Sequence, residues 1–238
     1  MTPTIEGPRA RFREQTRAEI KEIALRQLAD GGMEGVALTR IAKQLGMSGP
    51  ALYRYFASRD DLLSALIRDA YDDLASAIEA AATAAARKRP RARLHALGAA
   101  HRGWAVEQPH RYLLIAGTPL PGYTAPPDTL LRARAALAPF LTVYAEGVPS
   151  PSIAPVVGQM QTWARDEPAV RAWLEGAGGA AGDPDNAGPA LAGAVLTWTQ
   201  LHGIVGLEVA GQFTGMGHTA PILLASALDT LADGFGLA

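Results

Sequence analysis

The chain of 238 residues contains no cysteine. A disulfide framework, a thiol nucleophile and thiolate zinc sites are therefore excluded, and the composition suits a reducing cytoplasm. Net charge is nearly absent as well. Lys and Arg number 22 against 23 Asp and Glu, which excludes a global basic field. The alanine runs are broken by charge, and no apolar run of signal-peptide type opens the chain. The expectation is that no segment spans a membrane, a span needing about 18 apolar residues or more. Period-2 runs of β-branched residues are missing, so strands are not expected. Enzyme signatures are missing too: there is no H-E-x-x-H, no G-x-S-x-G and no P-loop. Gly176, Gly178 and Gly179 approach a dinucleotide fingerprint, but they follow no strand. The five histidines, His95, His101, His110, His202 and His218, are scattered, and His95 and His101 lie six apart, a poor spacing for a shared ligand face. The chain is read as a non-enzyme with no catalytic residue, no metal site and no cofactor.

What charge there is lies unevenly. Residues 1–56 carry nine Lys/Arg against six Asp/Glu, and the remainder carries thirteen against seventeen. A basic head on an acidic body fits nucleic-acid contact at one end. Within that head, Thr39 to Phe56 reads TRIAKQLGMSGPALYRYF. Ile41, Ala42 and Leu45 give a short helix an apolar face. Gly46 supplies a sharp exit, since it takes positive φ without a Cβ clash. Ser48 or Gly49 caps a second helix, and Pro50 fits its first turn. Leu52 and Phe56 face inward, four apart, leaving Tyr53, Arg54 and Tyr55 outward. The pattern is a helix-turn-helix with outward residues suited to DNA. Thr39 is placed as N-cap of the first helix, where a phosphate approaches the positive helix end. An ordinary helical hairpin with aromatic surface residues is the alternative reading of the spacing alone.

The continuation, ALYRYFASRDDLLSAL, resembles the signature of the tetracycline-repressor (TetR) family of bacterial transcription regulators. The matching positions are Leu52, Tyr53, Phe56, Ser58, Arg59, Asp60, Asp61 and Leu62. The resemblance implies an all-α fold. It has a three-helix DNA-binding head at 1–57 and a larger helical body at 58–238 for ligand binding and dimerisation. Residues 1–12, polar with Pro3, Pro8, Arg9 and Arg11, read by themselves as a flexible arm, either a phosphate or minor-groove contact or a solvated tail. The resemblance also implies DNA contacts from Thr39, Arg40, Ser48, Gly49, Pro50, Ala51, Tyr53, Arg54, Tyr55 and Arg59. Tyr53 and Arg59 are expected on phosphate; Arg40, Gly49, Pro50, Ala51 and Arg54 are expected to read bases. Gly49 stands where the family often has Lys or Arg, so a cation is missing from that helix start.

Around this motif, a helix over 13–29 ends at Gly31 and Gly32. Ser58 and Asp61 are spaced as a capping box opening a long helix that runs to about Arg87. Further helices are expected at about 91–107, 109–116, 128–146, 152–164, 168–176, 188–213 and 217–236. Pro/Gly-rich loops fall at Gly117–Pro127 and Gly176–Pro189, the second low in complexity and mobile. Most large aromatics lie in the second half. They are either core or the walls of a cavity, and a ligand set of Trp104, Tyr112, Tyr123, Trp163, Trp198 and His202 is proposed for the latter. Trp198, His202 and Gly203 resemble the Trp-His-Gly type of C-terminal domain in some TetR-like regulators. Gly203 in mid-helix suggests another backbone close by, and His202 fits either a ligand contact or a helix interface.

The resemblance implies a homodimer pairing its last two helices. Ala192, Val195, Leu196, Thr199, Gly203, Gly206 and Leu207 form a small-residue stripe, and Leu223, Leu224, Ala227, Leu228 and Leu231 a second apolar face. Both faces suit an isologous contact, or else burial within one chain. The expected partners are a pseudo-palindromic double-stranded DNA operator, a small apolar or aromatic effector that is neutral or cationic, and a second copy. The long helix after Arg59 is the expected lever between head and ligand. An all-α small-molecule enzyme and a ligand-independent DNA-binding protein are the competing readings.

Overall fold

The computed structural model describes residues 7–117 and 123–238. Among them every regular element is helical and no strand occurs. Eleven α-helices follow in order: α1 Pro8–Gly31, α2 Leu38–Gln44, α3 Gly49–Tyr53, α4 Arg59–Ala85, α5 Pro90–Glu107, α6 Pro109–Ala116, α7 Asp128–Tyr144, α8 Ala154–Asp166, α9 Pro168–Ala177, α10 Ala187–Val209 and α11 Ala220–Gly234. Short 3₁₀ turns form at Met33–Gly35, Gly179–Gly182 and Pro184–Asn186. The chain divides into two compact units. The first holds residues 1–70 with 110–126, and the second 71–109 with 127–238. The boundary expected at 57/58 therefore moves into α4, because Leu62, Leu63 and Leu66 are buried residues of the first unit.

In the first unit α1 begins at Pro8, where an arm to residue 12 is expected from sequence. Pro8 has no N–H to leave unsatisfied and its φ suits a helix start, while Gly7 before it is extended. Arg9 and Arg11 are consequently exposed on the first turns of α1. The rest of the expected arm, residues 1–6, lies outside the described residues, as do 118–122 of the first Pro/Gly-rich loop. Ile20, Ala24 and Leu28 of α1 pack with Val36, Ile41, Leu52, Phe56 and Leu63 into a core exposed by no more than 4% at any of these residues. Gln27 is also buried, and its Oε1 accepts the Ala37 N–H at 2.9 Å.

The second unit is built around α10, which packs against α5, α7, α8 and α11. One run among the described residues, Pro184–Val209, is long and apolar enough to cross a membrane by length and composition alone. Half of its apolar window is buried inside the protein, and α10 is packed by four other helices. Tyr144 of α7 lies flat on Gly193 of α10. Its hydroxyl pairs with Thr197 Oγ1 at 2.6 Å and its ring meets Phe235 edge-on at 4.7 Å. The second Pro/Gly-rich segment is not an open loop. Gly178 and Gly179 take positive φ, Asn186 Nδ2 donates to the Ala180 carbonyl, and Gln161 holds both Pro184 and Gly188. All four tryptophans, Trp104, Trp163, Trp173 and Trp198, belong to this unit.

Candidate DNA-binding surface and body sites

The turn between α2 and α3 follows from two hydrogen bonds. Met47 N donates to the Ala42 carbonyl at 2.9 Å and Gly46 N to the Lys43 carbonyl at 3.3 Å. Together they make the Schellman end, which needs a left-handed residue at Gly46, observed at φ 63°. Ser48 then takes the extended N-cap conformation of α3, with Gly49 and Pro50 inside the helix. Ile41, Ala42, Leu52 and Phe56 hold the pair from within. Thr39, Arg40, Ser48, Pro50, Tyr53 and Arg54 are exposed as expected; Gly49, Ala51 and Tyr55 are half-buried. Tyr53 is 51% exposed, an unusual placement for a large ring on so short a helix.

Two expectations change. Thr39 is not the N-cap of α2: that position falls to Ala37, extended at φ −132° and ψ 117°, and Thr39 sits within the first turn. The helix thus starts two residues earlier, with buried Leu38 as its first residue. Arg59 is not a free cation. Its Nε donates to the Val36 carbonyl at 3.0 Å and its Nη2 to the Met33 carbonyl, so the guanidinium fastens the 3₁₀ turn to the start of α4. The capping box holds in modified form: Ser58 Oγ accepts Asp61 N–H at 3.0 Å, while the Asp61 carboxylate reaches Ala57 N–H at 3.0 Å. Arg17 adds a second tie, donating to the Tyr55 carbonyl at 2.6 Å and lying 4.3 Å from the Phe56 ring centroid. Lys43 and Gln44, exposed on the last turn of α2, belong to the same surface and were not singled out by motif. Their position opposite buried Ile41 and Ala42 would have found them.

The six residues of the expected aromatic ligand set are divided between the two units. Tyr112 and Tyr123 belong to the first unit, where the Tyr123 hydroxyl pairs with Ser64 Oγ at 2.9 Å and burial pushes the Tyr112 phenol up to about 12. Trp104 is buried and Trp163 half-buried in the second unit. Trp198 and His202 lie with ring centroids 4.1 Å apart, and His101 of α5 joins them at 5.8 Å from Trp198 and 6.1 Å from His202. His202 Nδ1 faces the Trp198 carbonyl at 3.1 Å and therefore donates. This bond lies within α10, across one turn. Glu208 accepts from Arg102 through both oxygens, with Nε at 2.8 Å. Gly203 has nothing within 4 Å of where a Cβ would stand, so no backbone of the same chain approaches it.

Burial, and secondarily His202, hold His101 down to about 3. The folded state thus keeps it neutral, while the unfolded chain gains a proton below the ordinary value of 6.5. Stability is fully present above that pH and is lost as pH falls toward 3, with a slope of about 1.4 kcal/mol per pH unit from this group. Urea unfolding between those limits measures the slope, and His101→Gln is expected to flatten it.

A cavity of about 510 Å³ lies in the second unit between α8, α9 and the two 3₁₀ turns that follow. Others of about 310 and 490 Å³ lie along α7. None of the six expected ligand residues lines any of these three.

A helical protein whose first unit presents an exposed, partly basic helix-turn-helix defines a class of nucleic-acid-binding folds, and the comparisons specify it. Residues 20–66 match the family described as bacterial regulatory proteins, tetR family, and residues 94–231 match the tetracyclin repressor-like C-terminal domain. The solved structure of SCO4313 is 40% identical, covers 95% of this chain and 100% of its own, and superposes with a TM-score of 0.77. The chain belongs to the TetR family. An HTH-type transcriptional regulator of Mycobacterium tuberculosis is 46% identical over 122 residues, 51% of this chain and 52% of the relative. The chain thus spans about half the length of the curated relatives it matches. A protein with unknown function from Rhodococcus sp. RHA1, 22% identical with a TM-score of 0.65 over 100% of both chains, shares the fold.

Proposed function

We propose that this chain is a sequence-specific DNA-binding transcriptional regulator. It acts in the cytoplasm as a homodimeric repressor and leaves a pseudo-palindromic operator when a small molecule binds its body. The observation that carries the reading is the α2–α3 pair. Buried Ile41, Ala42, Leu52 and Phe56 fix its geometry, and Arg40, Lys43, Tyr53 and Arg54 stay exposed. Such residues position a helix on phosphates and read base edges in the major groove.

The exposed faces of α10 and α11 support a second copy as partner. Leu207 is 46% exposed, Ile222 71% and Leu223 40%, with Thr199 and open Gly203 between α10's larger side chains. Ala192, Leu224 and Leu228 of the expected stripes are buried within the chain and serve its own core. Effector control requires unequal affinity for two states of the protein. If effector weakens operator binding tenfold, operator weakens effector binding tenfold, about 1.4 kcal/mol of coupling. α4 contributes residues to both units and is the candidate route.

The test is selection from random duplex DNA with the full chain. The expected result is an enriched motif of two inverted half-sites about one helical turn, ~10 bp, apart. Recovery of unselected sequence would refute the reading.

A further inference from the structure

The cavity between α8 and α9 owes its space to small side chains. Ala164, Ala181 and Ala187 form its floor with Leu174, all exposed by 4% or less. Its roof is held by the chain itself. Gln161 Nε2 donates to the Pro184 carbonyl at 2.9 Å, and Gln161 Oε1 accepts the Gly188 N–H at 2.6 Å. A floor of this kind, at about 510 Å³, is the size and character of a small-molecule site.

Four charged side chains stand at the rim: Arg165, Arg171, Glu175 and Asp183. Three are engaged. Arg165 Nε donates to Asp166 at 2.9 Å. Arg171 Nη1 donates to the carbonyls of Ala164 and Arg165. Asp183 Oδ1 accepts the Asp185 N–H at 3.0 Å. Arg171 and Glu175 are spaced i, i+4 on α9, where such a pair ordinarily meets. Arg171 instead turns to the end of α8, and no ion pair or hydrogen bond among the described residues takes up the Glu175 carboxylate. Glu175 is exposed at the rim, and a carboxylate beside an apolar floor suits a cation that carries its own apolar surface.

We propose that this cavity binds a compact molecule bearing an ammonium group on an apolar body, the ammonium on Glu175 and the body on the alanine floor. A free amine and an amino acid share that chemistry. In an amino acid the carboxylate would meet the remaining N–H groups of Arg165 and Arg171. This inference concerns binding alone. It is tested without DNA, so failure of the operator selection leaves it standing, and its own failure leaves the regulator reading standing.

The experiment is calorimetric titration of the full chain with 3-methylbutylamine, leucine and 4-methylpentanoate, with equilibrium dialysis as the second readout. Saturable binding of the amine or of leucine at one per chain is expected, with none of the acid. Tighter binding of leucine than of the amine assigns the arginines a part, and equal binding restricts recognition to Glu175. Glu175→Gln is expected to weaken binding about tenfold or more, and Ala181→Leu to abolish it by filling the floor. Should Ala181→Leu not fold, Glu175→Gln at the exposed rim decides. No saturable binding of either ammonium compound to about 10 mM overturns the proposal. So does equal binding of the acid, or affinity unchanged by Glu175→Gln.

Discussion

Replacing Gly193 with Ala is expected to lower stability by about 1–2 kcal/mol net, overpacking outweighing a helix-propensity gain of about 1 kcal/mol. A Cβ at this position would lie under 3.0 Å from Cγ, Cδ1 and Cδ2 of Tyr144. The ring cannot swing aside cheaply. It is fully buried, hydrogen-bonded to Thr197 at 2.6 Å and stacked edge-on with Phe235 at 4.7 Å. The clash is therefore relieved by moving α7 from α10, which opens the core of the second unit. The measurement is the urea midpoint and slope by far-UV circular dichroism. Unchanged stability would mean that the two helices separate freely. Gly203→Ala is the matched control. With nothing within 4 Å, it should stabilise the single chain by up to about 1 kcal/mol, while loosening any second copy seated on that face.

The double variant Arg40→Ala, Arg54→Ala is expected to cost about 2–6 kcal/mol on the selected operator and much less on random duplex. Each arginine in bidentate contact with a base carries about 1–3 kcal/mol of discrimination, and well-separated contacts add. Both side chains are exposed on the α2–α3 surface. The singles should each relax one base position. Equal loss on every sequence, with a salt slope flattened by about one unit per arginine, would reassign them to phosphates. Arg59→Ala separates the two kinds of arginine. Its guanidinium is held by Met33 and Val36 carbonyls, so the variant should destabilise the first unit by about 1–3 kcal/mol and affect DNA binding only through that loss.

The sequence made the helices and the turn legible because their determinants are local. Gly46, Pro50 and the Ser58–Asp61 spacing each act within a few residues, and all three are found in those roles. The start of α1 was missed because a polar, arginine-rich stretch reads as solvated chain. Pro8 nonetheless begins a helix there. The tie made by Arg59 is not legible because its partners, 23 and 26 residues earlier in the chain, leave no local trace. The division of the aromatic set between two units was hidden for a related reason. Each ring is a plausible wall by itself, and only tertiary packing decides that Tyr144, absent from the set, governs the contact between α7 and α10. The α8–α9 cavity was hidden because its floor is alanine, and alanine marks helix propensity more loudly than it marks space.

The confinement of every tryptophan to the second unit has an optical consequence. Emission excited at the red edge, where tyrosine does not absorb, reports the second unit and is blind to melting of the first. Circular dichroism at the helical band sums both. Divergence of the two unfolding curves would then reveal sequential loss of the units, and coincidence would show them melting together. The chain thus carries a native, label-free reporter for asking whether the DNA-reading end loosens before the rest.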